Sequence, residues 1–459
     1  MLPCLDNQIA RKLLTSNQVN GLIYHGSAKH TYDMVASTEG RPVLGGTGGC
    51  SSIYLSSQAD WPQAIRDICR ALFARAGQDP ATPHLVLVHA EVYDNQHFMN
   101  ALRDAVSSIT AQPGWVEGAD IGPLSRPLND DQRFMLTQLG PQESWLVQPA
   151  TYEIGSLVWS PGVRLGVHPG SAFAQAVHNV PVIGLIRVES TEEAGRLQRK
   201  QSQERTVGIY SRDKQEIELW RKLTAASQCS INCCPRPHPG IIPTPGWHNT
   251  APMSGGPHFL TALCQWQENA RPQHRASQRN IAFTPWESLS PKPGPDDTTR
   301  LSSAADSIGY WWENMFGIAT VLDESPAQQT CLSYRPLSLC IRAEKATSDI
   351  DLSIALMAAL KAGCDIQLST ASMRAWMPRA LEPLGVIITV ESRDEFESRF
   401  PSMATLGVYV RDTAATINTL QKAARCRLAL CPAPVLANGR LELLHCLREV
   451  VTTTRTTAR

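Results

Sequence analysis

The stretch V-L-G-G-T-G-G at residues 43–49 is the first place where residue types and spacing suggest chemistry. It has four glycines in the five positions from Gly45 to Gly49. A glycine cluster cradles a phosphate when it follows a strand and opens a helix, because the helix N-terminus then faces the anion. Here an apolar run, S-S-I-Y-L, follows instead of a helix, and no Gly-Lys-Ser/Thr signature appears. The spacing predicts a turn between strands rather than a phosphate site.

Thiols and imidazoles are the other groups that suggest chemistry. The chain has 13 Cys, and none falls in a paired C-x-x-C frame typical of zinc sites. His238, His248 and His258 lie ten residues apart, which matches no compact metal site. We therefore expect no metal, and we expect reduced thiols rather than a disulfide framework.

The composition excludes several classes of function. Lys plus Arg equals Asp plus Glu at 42 each, so binding to nucleic acid through charge is not expected. No apolar run reaches the length of a membrane span, and the N-terminal M-L-P-C-L-D-N-Q-I-A-R-K-L-L is too polar for a signal peptide. These features predict a soluble, cytoplasmic protein.

Apolar strands alternate with amphipathic helices through the first half of the chain. The alternation predicts strands at 21–24, 51–55, 84–89, 181–188, 207–211 and 229–232, with helices between them. Such a pattern is typical of an α/β architecture with a largely parallel sheet. Residues 233–257 are rich in Pro, Gly and His, and we predict an ordered loop there.

A second α/β unit is predicted from about residue 331. Five short Val/Ile/Leu strands alternate with helices, which predicts a doubly wound parallel sheet. Its first turn, R-A-E-K-A-T-S-D, has no glycine, so no dinucleotide is expected there. The last helix is predicted to present Leu441, Leu444, Leu447 and Val451.

The region before this unit has two parts. Residues 269–300 are predicted to form a linker. The stretch S-A-A-D-S-I-G-Y-W-W-E-N-M-F-G is predicted to form a helix, whose Trp311, Trp312 and Phe316 are expected to pack in a core.

An ordered series of motifs resembles the aldehyde dehydrogenase family. G-L-I-Y-H-G-S followed by V-L-G-G-T-G-G resembles that family's F-T-G-S and E-L-G-G-K-N-P segments. L-F-A-R-A-G-Q-D-P is similar to F-x-x-x-G-Q-x-C, which carries the catalytic cysteine. A-V-H-N-V-P-V-I-G-L resembles E-x-F-G-P-V-L, and S-G-G-P-H-F-L resembles the A-G-G-P-N-Y-L of L-glutamate γ-semialdehyde dehydrogenases. Segments further on resemble the C-terminal part of proline utilization A, which joins a proline dehydrogenase to this aldehyde dehydrogenase.

The resemblance implies a fold and a set of domains. An aldehyde-dehydrogenase-like catalytic sheet would be followed by a second Rossmann-like doubly wound parallel α/β domain. We expect a remnant of the nucleotide-binding domain at 1–50 and the catalytic domain at 51–268. A linker with the aromatic helix would occupy 269–330, and the C-terminal Rossmann-like domain 331–459.

The resemblance also implies that the family's reactive groups are missing. Oxidation in the family needs a cysteine thiolate, a hydride acceptor and a carboxylate base. The positions that match these motifs hold Pro80 for the cysteine, Val43 for the general-base Glu and Val177 for the second Glu. Asp79, Thr82, Cys50 and Cys69 lie nearby in sequence, and none is expected to replace the thiolate. Four matching positions near the nicotinamide are interpreted as vestigial: Gly26, Ser27, Gly45 and Gly46.

Three hypotheses follow from the resemblance. The first is a degenerate, catalytically dead relative without cofactor, with a structural, regulatory or partner-binding role or none. The second is an active NAD-dependent glutamate semialdehyde dehydrogenase fragment that another chain or an upstream reading frame completes. The third is a lid or oligomerisation module. The expected partners are a proline dehydrogenase or a second copy of the chain, with no nucleic acid and no membrane.

Overall fold

The computed structural model describes most of the chain. The residues described are 12, 16, 18–26, 28–38, 40–47, 51–79, 82–114, 116–153, 156–176, 179–201, 206–224, 226–234, 261, 264, 284, 289 and 292–455. They divide into two compact units. The ten-stranded unit lies within Gly48–Pro239, Val321–Cys331 and Val451–Arg459, and the five-stranded unit within Met1–Thr47, Gly240–Thr320 and Leu332–Val450.

Strands and helices alternate along almost the whole described chain. The strands are β1 Leu22–Gly26, β2 Val43–Thr47, β3 Ser52–Leu55, β4 Leu85–His89, β5 Ser144–Val147, β6 Gly162–Leu165, β7 Val182–Val188, β8 Thr206–Tyr210, β9 Gln228–Ile231, β10 Thr320–Glu324, β11 Gln328–Pro336, β12 Ser338–Ala343, β13 Asp365–Thr370, β14 Ile387–Val390, β15 Tyr409–Arg411, β16 Ala429–Cys431 and β17 Leu447–Arg455. The α-helices are α1 Ala28–Ser37, α2 Trp61–Leu72, α3 Ala90–Tyr93, α4 Gln96–Ser107, α5 Asp130–Thr137, α6 Ala172–Gln175, α7 Thr191–Gln201, α8 Lys214–Leu223, α9 Pro295–Trp311, α10 Asp349–Ala362, α11 Trp376–Leu381, α12 Arg393–Ser398, α13 Phe400–Leu406, α14 Ile417–Arg425 and α15 Gly439–Leu444.

The large sheet confirms the α/β architecture expected for the first half of the chain. Its strand order is β10-β11-β17-β9-β8-β3-β4-β7-β6-β5. The run from β17 to β6 is parallel, and β5 pairs antiparallel with β6. Helix α2 shows why the local sequence folds this way. Asp60 caps its first turn, and Ile65, Ile68 and Leu72 recur at helical spacing and are buried.

The five-stranded sheet confirms the doubly wound prediction. All pairings are parallel, and the order is β14-β13-β12-β15-β16. In chain order this is 3-2-1-4-5, the arrangement of Rossmann-like folds. Its helix α10 is apolar on every side and is buried in the core, and it begins at the Ser348 cap and ends at Gly363 in the left-handed region.

Strand β17 contradicts the prediction for the last helix. Helix α15 ends at Leu444, and Leu447 and Val451 lie in a strand instead. Leucine spacing fits either element, but the β-branched run V-V-T-T-T favours a strand. The parallel pairing of Val451 with Gln228 satisfies the backbone hydrogen bonds of this strand.

Within the five-stranded unit, the prediction of an aromatic helix is confirmed. Phe316 is buried, and Trp311 and Trp312 pack against the core.

Two shorter predictions need correction. Helix α9 begins at Pro295, inside the stretch expected to be linker, because proline at the first turn is already set for a helix. Gly45 and Gly46 lie in strand β2, not in a turn, and are paired with Tyr24 and His25 of β1. Their backbone completes a parallel ladder, and glycine within a strand often marks a place where a ligand or another backbone approaches closely.

Candidate functional site

The segment that matches the family's cysteine motif begins with an unusual backbone turn. Arg75, Ala76 and Gly77 are all in the left-handed region, with φ of 51°, 54° and 72°. A Cβ at Gly77 would lie 2.3 Å from the carbonyl oxygen of Val180. Only glycine fits this contact without a shift of the backbone. The turn therefore packs directly on the segment that matches E-x-F-G-P, at the amino ends of β4 and β7.

Gln78 fixes this turn through its side-chain amide. Its Nε2 donates to the carbonyl of Arg75 at 2.9 Å, and its Oε1 accepts from the backbone N–H of Ser125 at 2.8 Å. The sequence alone predicts no role for Gln78, although the G-Q pair of the motif is an available signal. The side chain acts here as a brace for the backbone.

His84 is a second residue that the sequence reasoning missed. Its backbone N–H donates to Ser51 O at 3.1 Å and its carbonyl accepts from Gly184 N at 2.9 Å. These bonds hold the start of β4 between β3 and β7. The imidazole is buried, and burial lowers its pKa from 6.5 to about 4. The ring is therefore neutral at neutral pH, and a lone internal His gave no sequence pattern that predicted this.

The predicted site residues are only partly covered by the described chain. Pro80, Val177, Ser27 and Cys50 lie outside the described residues, as do the three loop histidines at 238, 248 and 258. Of the neighbours considered for Pro80, Asp79 accepts a hydrogen bond at its carbonyl from Thr82 N at 2.9 Å. The Thr82 side chain is buried. Neither residue carries a thiol.

The remaining predicted positions lie in the five-stranded unit. Gly26 ends β1, where it is paired with Thr47. Val43 begins β2 opposite Leu22 and is buried, with 8% of its surface exposed. The geometry brings Val43, Gly45 and Gly46 onto one strand, with Gly26 at the end of its neighbour.

Comparison with known proteins now identifies the family. The model of the aldehyde dehydrogenase family matches residues 1–268. The chain belongs to the aldehyde dehydrogenase family. Malonate-semialdehyde dehydrogenase 2 of Geobacillus kaustophilus is 24% identical over 255 residues, which are 50% of this chain and 51% of that protein. The 4,4'-diapolycopene-4,4'-dial dehydrogenase of Cytobacillus firmus is 27% identical over 218 residues, 46% of each chain.

A solved structure extends the likeness beyond the matched half. Proline utilization A from Corynebacterium freiburgense shares the fold at a TM-score of 0.79 and 23% identity, covering 98% of this chain and 43% of that one. The five-stranded unit is therefore included in the shared fold. The chain spans about half the length of the curated relatives it matches.

The pKa values of two described cysteines show whether their thiols could serve as the thiolate nucleophile of an aldehyde dehydrogenase. Cys69 lies in helix α2, half-buried, and burial raises its pKa to about 11. Cys233 is buried and its pKa is also raised to about 11 by burial. Both thiols are almost fully protonated at neutral pH, so neither is a ready nucleophile. Among the described residues, no group of three or more His, Cys, Asp and Glu side chains is arranged to hold a metal ion.

A crevice opens at the carboxyl ends of β12, β13 and β14 in the five-stranded unit. Its volume is about 650 Å³, and its lining includes Glu344, Lys345, Glu391 and Arg393. Ion pairs neutralise part of the charge, since Arg393 pairs with Glu344 at 2.6 Å and Glu391 with Arg399 at 2.6 Å. The turn after β12 has no glycine, so backbone approach to a pyrophosphate is hindered. Nothing in the described helices combines the length and apolar character needed to cross a bilayer.

Proposed function

We propose that this aldehyde dehydrogenase family member is catalytically dead and has a structural or partner-binding role. The observation that carries the proposal is the contact between Gly77 and the carbonyl of Val180. It joins the two segments that should bear the nucleophile and the ribose-binding carboxylate. Residues 74–84 and 172–183 contain neither Cys nor Glu. The backbone frame is thus kept while both kinds of reactive group are absent from it.

The electrostatics of the nearest groups support the same proposal. Thiohemiacetal formation requires a thiolate, and burial keeps Cys69 protonated. Release of the acid requires a base poised near neutral pH, whereas the pKa of the buried His84 is about 4. The β2 position that matches the family's general-base Glu is the buried Val43. No cofactor is expected, and we expect the protein to work in the cytoplasm.

The first experiment measures turnover and NAD binding. The purified chain is mixed with NAD and either L-glutamate γ-semialdehyde or malonate semialdehyde, and NADH is followed by absorbance. Isothermal titration with NAD runs in parallel. We expect no NADH above a no-protein blank and no heat of binding. NADH production that disappears in a single variant such as Cys69→Ser, while Cys426→Ser retains it, would overturn the proposal.

The partner-binding part of the proposal rests on the shared fold of the five-stranded unit. The likeness to proline utilization A covers 98% of the chain, so the C-terminal domain is kept with the rest. In long members of that resembled family, this domain is expected to cover a channel between two active sites. We expect a proline dehydrogenase or a second copy of this chain as partner. Co-purification with a proline dehydrogenase and light scattering of the isolated chain separate the two, and a monomer that captures nothing argues against both.

A second candidate function is an active half that another chain completes. It is favoured by one observation: the chain covers only about half of the curated relatives it matches. On this proposal NAD is bound by the completed assembly, and the partner also supplies a cysteine. An in-frame upstream continuation carrying the missing nucleotide-binding half would support it, and a stop codon in every upstream frame would contradict that route.

A further inference from the structure

We propose that Cys364 and Cys446 form a modification site, a dithiol that a peroxide converts into an intramolecular disulfide. Both residues lie in the five-stranded unit, 82 positions apart in the chain. Cys364 follows the end of α10, and Cys446 lies between α15 and β17. The proposal is independent of aldehyde oxidation, because neither cysteine belongs to the segments that match the family's active site.

The geometry places the two residues in direct contact. The Sγ of Cys364 lies 3.1 Å from the carbonyl oxygen of Cys446, and the two thiols also interact with each other. The backbone on both sides is fixed. Cys364 N donates to Ala359 O at 3.0 Å in the cap of α10, and Leu337 N donates to Cys446 O at 3.0 Å. The backbone bonds on both sides therefore hold the two cysteines next to each other, as a disulfide requires.

The two thiols differ in exposure and acidity, which assigns their roles. Cys364 is half-buried, whereas Cys446 is buried with 2% of its surface exposed. The hydrogen bond from the Cys446 thiol stabilises the thiolate of Cys364 and lowers its pKa below the ordinary value. The same interaction, with burial, raises the pKa of Cys446 well above its ordinary value. Cys364 is therefore the attacking sulfur and Cys446 the resolving one.

The reaction balances with a peroxide as oxidant. The Cys364 thiolate attacks one oxygen of R-O-O-H, an S–O bond forms and the O–O bond breaks, and R-O-H leaves after taking a proton. The sulfur of Cys446 then attacks the sulfenic acid of Cys364. The S–S bond forms, the S–O bond breaks, and water leaves with the thiol proton. Two electrons pass from the sulfur pair to the peroxide.

Other described thiols of this unit provide a matched control. Cys426 is half-buried like Cys364, but it follows α14 and packs against the cluster that contains Phe396 and Leu428. Cys340 is buried, and burial raises its pKa to about 12. If exposure alone governed oxidation, Cys426 would react as readily as Cys364.

The test uses the whole, reduced chain and hydrogen peroxide as the probe. After oxidation, remaining thiols are alkylated and the protein is digested without reductant. We expect a peptide pair linked through Cys364 and Cys446, formed at peroxide levels that leave Cys426 alkylated. Loss of two hydrogen atoms per chain in the intact mass should accompany the link. Absence of the linked pair when Cys426 is already oxidised would overturn the proposal.

Two variants test the order of attack. In Cys446→Ser a hydroxyl can still donate to the Cys364 sulfur but cannot resolve its sulfenic acid, so we expect trapping by a 1,3-dione about tenfold above that at Cys426. In Cys364→Ala we expect no trapping at Cys446. Equal trapping at the two positions would refute the assigned roles, and the crosslink in the unaltered chain needs neither variant to fold.

Discussion

The turn at residues 75–78 and the crevice of the five-stranded unit are built in opposite ways. In the turn, backbone packs on backbone: Gly77 touches the carbonyl of Val180, and the imidazole of His84, further along the chain, is kept neutral by burial. In the crevice, Glu344, Lys345 and Arg393 line an open space of about 650 Å³. The first region is held by backbone contacts, and residues 74–84 contain neither Cys nor Glu. The second region holds charged groups without a glycine turn.

Under the proposed loss of activity, a backbone constraint persists where the chemistry that it served is absent. A glycine at residue 77 is required by packing, whatever stands at residue 80. Conversely, charged or thiol side chains become functional only through their partners, as the different pKa shifts of Cys69 and Cys364 illustrate. Scaffold and reactive group are thus separable features of this molecule, and each can be tested separately.

The largest expected effect concerns buried ion pairs, one in each unit. Arg411 pairs with Glu442 at 2.7 Å, and both side chains are at most 2% exposed. Glu442→Gln leaves the Arg411 charge buried, and we expect a loss of about 3–5 kcal/mol in the free energy of unfolding. Urea denaturation measures it.

The matching pair in the ten-stranded unit sharpens the comparison. Arg164 pairs with Glu143 at 2.7 Å and also donates to the carbonyls of Phe134, Met135 and Gln138. Because three carbonyl acceptors remain around Arg164, Glu143→Gln should lower the free energy of unfolding by less than Glu442→Gln does. An equal or larger loss would show that backbone acceptors do not compensate the charge in this unit.

The second prediction tests whether the turn at residue 77 is a packing requirement. Gly77→Ala adds a Cβ in the left-handed region and against the Val180 carbonyl, and we expect about 3–4 kcal/mol of destabilisation. Gly118 has φ of 81° with nothing within 4 Å of its Cβ position, so Gly118→Ala should cost only about 1 kcal/mol. Thermal or urea unfolding of both variants checks the difference. Equal costs would mean that backbone conformation alone, and not the contact, requires glycine.

The third prediction concerns the pH dependence that His84 imposes. The unfolded chain takes up a proton near pH 6.5, whereas the folded chain does so only near pH 4. Stability due to His84 is thus complete above pH 6.5 and falls by about 3 kcal/mol as the pH drops to 4. His84→Gln should flatten the plot of unfolding free energy against pH in this window. The control variant is His97→Gln, because His97 is exposed. If His84→Gln leaves the slope of unfolding free energy against pH unchanged, a buried neutral His84 ring is contradicted.

Local sequence predicted the elements well, but it could not predict contacts between distant residues. Short apolar runs such as H-L-V-L-V-H and L-S-L-C-I-R-A, separated by helical segments, predict the strands and the parallel sheet. A strand that is buried on both faces has a continuous apolar sequence, which makes it easy to recognise. The leucines of α15 and β17 share one spacing, so only the pairing of Val451 with Gln228 separates helix from strand. Gly77 meets Val180 and Cys364 meets Cys446 across long chain separations. Local periodicity carries no information on such contacts.

The fourth and smallest predicted effect is a difference in alkylation rate between two half-buried thiols. Burial raises the pKa of Cys69 to about 11, while the interaction with the Cys446 thiol lowers the pKa of Cys364 below its ordinary value. A larger fraction of Cys364 than of Cys69 is therefore thiolate at pH 8. Lower basicity weakens the nucleophile and offsets part of this advantage, so we expect Cys364 to be alkylated several-fold faster than Cys69.

Alkylation with iodoacetamide, followed by mass spectrometry of the two peptides over time, measures this ratio directly. The variant Cys446→Ala removes the hydrogen bond and leaves the exposure of Cys364 equal or greater. If partnership governs reactivity, the ratio should fall despite the easier access. A ratio that rises in the variant would show that access, and not the neighbouring thiol, decides which sulfur of this protein reacts.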